Sequence, residues 1–230
     1  MIKAVIFDLD NTLIDYMKME RISAEQAVDA MIDAGLDVPK DKILKELEKT
    51  MDDEGFDHPK IFQKFLRRLN GSINYKHLAY AILAFRKARE GFLQPYPGVK
   101  SALIKLREKG LKLAIVSDAP RLNAWLRLSA MKIDDFFDIV IAKEDTGFLK
   151  PHRKPFSIAL KKLNLNSEEC LMVGDRPEKD IKGAKKVGMK TCFAKYGYEI
   201  RPRFTINKMK ADFEINDIKE LAGIIERINH

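Results

Sequence analysis

Apolar residues fall into two regimes along the 230-residue chain. Over most of its length, short unbroken apolar runs alternate with stretches of helical spacing. Between about residues 16 and 94 only helical spacing is present. The first run, Ala4-Val5-Ile6-Phe7, is too short for a helix and predicts a buried strand over 3–8. It ends in two acids, Asp8 and Asp10, followed by Thr12. Bare charge is costly away from water. Both acids are therefore expected at the strand's carboxyl end, in a crevice that holds a cation.

Residues 16–94 predict four helices and no strand. Ala24, Ala27, Val28 and Met31 repeat at helix spacing over 17–34, which stops at Gly35. Ile43, Leu44, Leu47 and Met51 share a face over 40–53, and Ile61, Phe62, Phe65, Leu66 and Leu69 do so over 59–69, which ends at Asn70-Gly71. Leu78, Ile82 and Phe85 mark a fourth helix over 74–90. Short loops between amphipathic helices predict an antiparallel bundle whose Met and Phe residues form a core.

Pro95, Pro97 and Gly98 mark the return to the first regime. Helices are predicted over 99–109, 122–131, 155–163, 180–187 and 217–228. Strands are predicted over 112–117, 138–142, 170–173, 190–194 and 212–215. This alternation is that of an α/β, Rossmann-like parallel sheet with helices on both faces. The expected organisation is a core domain of residues 1–15 and 95–230, interrupted by an all-α four-helix domain of residues 16–94.

Composition narrows the class. Both charge signs are abundant, no apolar stretch approaches bilayer length, and MIKAVIFDLD lacks the pattern of a signal peptide. A cytoplasmic protein without membrane partners is expected. Cys170 and Cys192 lie in strand-like surroundings and read as reduced core residues. The net charge of +8 raises nucleic acid as a partner, but residues 16–94 carry 14 basic against 13 acidic residues. Elsewhere, Lys179, Lys182, Lys185 and Lys186 are spaced as one solvated helical face, and no basic stretch is interleaved with aromatics. Nucleic acid is therefore disfavoured.

In open parallel sheets, ligands bind beyond the carboxyl ends of the strands. The residues just past each predicted strand are Asp8 and Asp10, then Ser117 and Asp118, then Lys150 in the loop after the third strand, then Asp175 with Asp180. Carboxylates without a His or Cys cluster suit a hard cation, Mg²⁺ above all. A lysine and a hydroxyl beside them suit a phosphoryl group. One aspartate can attack phosphorus while a neighbouring carboxylic acid protonates the leaving oxygen.

These segments resemble the motifs of the haloacid dehalogenase superfamily. Asp8-Leu9-Asp10-Asn11-Thr12 is similar to its first motif, D-x-D-x-T, and Val116-Ser117 to its second. Lys150-Pro151 with Phe156 resembles the third, and the stretch from Val173-Gly174-Asp175 to Asp180-Ile181, with Gly183-Ala184 and Gly188-Met189, resembles the fourth. The resemblance implies Asp8 as nucleophile and Mg²⁺ ligand, and Asp10 as general acid/base with its carbonyl on the metal. It implies Ser117 and Lys150 on the phosphoryl oxygens, with backbone N–H groups near Leu9 and Asp118 also in reach. Asp175 would complete the metal site, with Asp180 orienting or water-bridging. The insert at 16–94 would be the family's C1 cap, which closes over the site and selects substrate. Asp10 favours phosphatases over dehalogenases. Asp118 departs from the Asn common there, and Arg153 from a proline in the third motif.

Simpler readings stand beside these. Asp180 also fits a helix N-cap, His152 a surface residue, and Trp125 a packing residue. The expected function is a Mg²⁺-dependent phosphomonoester phosphatase acting through a phospho-aspartyl intermediate on a small phosphorylated metabolite. The alternatives are a phosphomutase on the same scaffold, told apart by product isomerisation in place of phosphate release, and a catalytically silent binding or regulatory protein. Oligomeric state is not readable.

Overall fold

The computed structural model describes residues 1–198 and 210–229 and divides the chain into two units. One comprises Met1–Asp15 with Gln94–His230, the other Tyr16–Leu93. The first is built on a six-stranded sheet: β1 (Ala4–Phe7), β2 (Lys112–Val116), β3 (Ile139–Ile141), β4 (Cys170–Gly174), β5 (Lys190–Ala194) and β6 (Phe213–Ile215). All neighbours are parallel, in the order β3-β2-β1-β4-β5-β6. β1 and β4 are buried along their whole length, as the unbroken apolar runs predict. The order reverses between β1 and β4, so the carboxyl ends of those two strands frame the crevice where such sheets bind ligands. Phe7 is in register with Val173, and the Asp8 N–H donates to the Val173 carbonyl at 2.9 Å.

The second unit is four helices, α1 (Tyr16–Asp33), α2 (Lys40–Glu54), α3 (Ile61–Asn70) and α4 (Tyr75–Phe92). Their apolar faces form one core that includes Val28, Met31, Leu47, Phe62, Phe65 and Phe85. Gly71 ends α3 in the left-handed region at φ 73, where a side chain would be strained. The Asn74 side chain caps α4 by accepting the Lys76 and His77 N–H groups. Glu20 on α1 is buried and meets Arg89 on α4 at 3.0 Å, a pairing that offsets the cost of burying its charge.

The sheet's helices are α5 (Val99–Glu108), α6 (Arg121–Met131), α7 (Lys143–Thr146), α8 (Arg153–Leu163), α9 (Lys182–Lys185), α10 (Lys195–Tyr198) and α11 (Leu221–Asn229). On one sheet face, Phe156, Ala159 and Leu163 of α8 and Ala184 of α9 pack on Ile6, Val116, Ile141 and Met172. The single helix expected over 180–187 is replaced by a π-helical turn, Pro177–Ile181, leading into α9. α7 and α10, of four residues each, are too short to show a helical period and were not expected. Trp125, expected to pack, is 43% exposed. Leu122 and Leu126 on the same helix are exposed with it, because α6 turns a different face inward. Cys170 and Cys192 are buried free thiols, each pushed up to about 12, chiefly by burial. Among the described residues, no helix is long and apolar enough to cross a membrane.

Candidate active site at the strand switch point

β1 runs straight into the site. Asp8 lies one residue past its end, and the chain then turns tightly. Asn11 adopts φ 57, its N–H donates to the Ile14 carbonyl at 2.7 Å, and the Leu13 N–H donates to the Leu9 carbonyl at 2.9 Å. Asn is among the few side-chain-bearing residues that enter the left-handed region readily. The turn sets Asp8 and Asp10 at the same mouth.

Asp175 comes from the end of β4 and is fully buried, and the Thr12 hydroxyl donates to its Oδ1 at 3.4 Å. Asp180 arrives on the π-helical turn, which seats it directly over Gly174. A Cβ at Gly174 would overlap the Asp180 side chain, so only glycine fits there. The Arg176 N–H donates to Asp180 Oδ2 at 2.9 Å. Asp180 is thus no N-cap. Oxygens of Asp8, Asp175 and Asp180 all lie within 4.8 Å of one another.

Lys150 reaches this cluster from the loop before α8. Its Nζ lies 2.6 Å from Asp8 Oδ1 and 2.7 Å from Asp180 Oδ1. Burial alone would depress its pKa, but Asp180, Asp8 and Asp118 outweigh burial and raise it, so Lys150 stays charged. Burial is also the largest influence on Asp180 and pushes it up to about 6 against the pull of Lys150. A carboxyl held back from ionising is one that an added cation would ionise. Asp8, Asp10, Asp175 and Asp180 bring four carboxylates, while Lys150 and Arg127, whose Nη1 lies 2.8 Å from Asp10 Oδ2, bring two cations. The difference is two negative charges, and the donors are all oxygen. That set fits a divalent hard cation such as Mg²⁺.

Ser117 follows β2, is buried, and its Oγ accepts the Ala119 N–H at 3.1 Å. Asp118 accepts the Lys150 N–H on Oδ1 at 2.8 Å and pairs with Lys179 through Oδ2 at 2.7 Å. Its departure from Asn therefore has a local partner, since the carboxylate anchors the Lys150 loop and is balanced by Lys179. Burial pushes the Asp118 carboxyl up, but Lys150 and Lys179 outweigh it and hold it below the usual range. A depressed carboxylate pKa stabilises the fold above its unfolded value, and the benefit is lost as pH falls through the folded one. Asp118→Asn keeps the Oδ1 acceptor and drops the ion pair. It is expected to cost about 1 kcal/mol at pH 7. Urea unfolding should show the gap from the parent closing as pH falls below about 4.

Three supports were not legible in the sequence. Tyr196 on α10 donates its hydroxyl to the Thr12 carbonyl at 2.7 Å. At Gly197 a Cβ would strike the Asn11 carbonyl. Arg127 lies buried against Asp10 although it sits among apolar residues on α6. Only the Gly in Tyr196-Gly197 hints at close backbone approach. His152 is exposed and stacks on Phe148 with ring centroids 4.0 Å apart.

A family model for haloacid dehalogenase-like hydrolases matches residues 5–194 of the chain. The chain belongs to that family. Relatives that match it over nearly their whole lengths are named as phosphatases. It is 38% identical over 229 residues to the glyceraldehyde 3-phosphate phosphatase of Pyrococcus abyssi, covering 100% of this chain and 96% of that protein. It is 34% identical to the protein of that name from Methanocaldococcus jannaschii, covering 99% of each. Among solved structures, a haloacid dehalogenase-type phosphatase from Thermococcus onnurineus superposes with a TM-score of 0.70 at 26% identity, covering 97% of this chain and 98% of the other. This member of the family is thus a phosphatase of the haloacid dehalogenase type acting on a small phosphorylated molecule.

Proposed function

We propose that the chain is a Mg²⁺-dependent phosphomonoester hydrolase that works through a phospho-aspartyl intermediate in the cytoplasm. Its proposed substrate is a triose phosphate, glyceraldehyde 3-phosphate first. The convergence of Asp8, Asp175 and Asp180 around Lys150 at the strand switch point carries the chemical reading. The full-length relatives named for glyceraldehyde 3-phosphate carry the choice of substrate. The insertion of the helical unit directly after the Asp8–Asp10 turn supports reading it as the C1 cap.

The steps divide among the chain's own residues. A carboxylate oxygen of Asp8 attacks phosphorus, and the bond to the ester oxygen breaks with its electron pair. Asp10, in its acid form, gives that oxygen its proton. The resulting carboxylate of Asp10 then takes a proton from water as the water oxygen attacks phosphorus. The bond to Asp8 breaks and its carboxylate is restored. Lys150 supplies fixed positive charge where negative charge develops, and Ser117 with the backbone N–H groups of Leu9 and Asp118 holds the phosphoryl oxygens. Asp8, Asp175, Asp180 and the Asp10 carbonyl would hold Mg²⁺, which when bound neutralises phosphoryl charge.

The test is inorganic phosphate release from a panel in Mg²⁺: glyceraldehyde 3-phosphate, glycerol 3-phosphate, phosphoglycolate, hexose phosphates, pyrophosphate and nucleotides. The expected result is a kcat/KM for glyceraldehyde 3-phosphate about tenfold or more above the hexose phosphates and nucleotides, which is about 1.4 kcal/mol of transition-state discrimination. A higher kcat/KM for any other panel member would overturn the substrate. Isomerised product without phosphate release would overturn hydrolysis.

A further inference from the structure

Helix α6 buries the wrong residue for an ordinary amphipathic helix. Leu122, Trp125 and Leu126 face solvent, while Arg127, between Leu126 and Leu128, is 2% exposed. Burying a guanidinium is expensive unless a partner holds it. Arg127 Nη1 donates to Asp10 Oδ2 at 2.8 Å, the length of a charge-assisted bond.

The turn carrying Asp10 is already fixed by its own backbone. Asn11 is left-handed, and the Asn11 and Leu13 N–H groups are bonded within the turn. What the backbone leaves open is the rotation of the Asp10 side chain, and the Arg127 bond addresses that freedom. The two acids of the first motif are thus gripped by different buried cations from different segments. Lys150 holds Asp8, and Arg127 holds Asp10.

Resting on the acid/base role proposed for Asp10, we infer that Arg127 is a positioning residue. It fixes the plane of the Asp10 carboxyl group so that its proton is aimed at the departing oxygen. The step served is the first one, in which the phosphorus–oxygen bond breaks and the ester oxygen takes the Asp10 proton. An alcohol leaving group needs that proton, and a strongly acidic phenol does not. The loss on removing Arg127 must therefore depend on the leaving group. A loss that came only from loosened packing would not sort substrates this way.

The experiment compares kcat/KM for glycerol 3-phosphate and for 2,4-dinitrophenyl phosphate, which reports the steps up to departure of the alcohol or phenol. The parent, Arg127→Met, Arg127→Lys and Asp10→Asn are assayed in Mg²⁺, with circular dichroism and thermal unfolding to confirm the fold. For Arg127→Met, kcat/KM on the alkyl ester is expected to fall about 30-fold or more, and on the dinitrophenyl ester by less than about threefold. Arg127→Lys keeps the charge without the planar fork and is expected to show the same bias, reduced. If Arg127→Met does not fold, the bias of Arg127→Lys decides. An equal fall on both esters, or no fall on either, overturns the positioning role. Asp10→Asn is expected to reproduce the bias in stronger form. Its failure to do so would overturn the acid role of Asp10 and the Arg127 inference with it. A parent that hydrolyses neither ester would overturn the phosphatase mechanism beneath both.

Discussion

Asp8→Asn is expected to lower kcat for any phosphate ester by about four orders of magnitude or more while the protein stays folded. The amide has the shape of the carboxylate but no nucleophilic oxygen, so the first bond to phosphorus cannot form. The charge balance predicts the small effect on stability. Asp8 lies in a cluster with an excess of two negative charges, 2.6 Å from Lys150 and close to Asp175 and Asp180. Neutralising it removes one of the ion pairs on Lys150 and also relieves repulsion among three buried acids. These effects offset, so the melting temperature should stay within about 4 °C of the parent, the shift that about 1 kcal/mol gives in a chain of this size. Release of nitrophenol from p-nitrophenyl phosphate, followed beside thermal unfolding, checks both halves. Turnover above about 1% of the parent in the pure variant would remove Asp8 as nucleophile.

Removal of divalent cations is the second large effect expected. Chelation should take phosphate release to background, and Mg²⁺ in excess of the chelator should restore it. The same two uncompensated charges give a readout independent of turnover. A cation that binds only the folded chain, present at about 100 times its dissociation constant, stabilises by about 2.7 kcal/mol. That corresponds to a rise of roughly 5–11 °C in the melting temperature. In Asp8→Asn the rise should shrink, since one of the three carboxylates near the cation is gone. Turnover that survives chelation would remove Mg²⁺ from the mechanism and leave the phosphatase assignment standing.

Much of this was legible in the sequence because the fold and the site depend on features that sequence records directly. Unbroken apolar runs marked the central strands β1 and β4, since strands buried on both faces cannot alternate. In parallel sheets ligands lie beyond the strand ends, so Asp8, Ser117 and Asp175 stand out as candidates without knowledge of their neighbours in space. Asp180 was harder. Its place depends on a π-helical turn and on the room above Gly174, and neither leaves a periodic trace. Asp118 was legible as a departure, but Lys179, 61 positions away on a face that reads as solvated, gives no sign in sequence that it balances Asp118. Arg127 was invisible for a plainer reason. Leu122, Trp125 and Leu126 form a good apolar face on paper, and periodicity cannot tell which face a helix turns inward when a charge across the sheet end demands a partner.

The order of the strands also sets a timetable. β1 precedes both of its neighbours in the chain by a long way, since they lie at Lys112–Val116 and Cys170–Gly174. At about 5–20 residues per second, a ribosome takes roughly 8 to 30 seconds to travel from the first of these strands to the last. Throughout that interval Val5, Ile6 and Phe7 have one or both edges without a mate, while every residue of the helical unit has already been made by Leu93. The proposed nucleophile, Asp8, is thus made well before the strands and loops that complete its site. A nascent or truncated chain that stops short of Cys170 lacks one whole side of its central strand. It exposes the edge of an apolar strand to the wrong partner, so synthesis passes through a stage more open to mispairing at β1 than the finished sheet is.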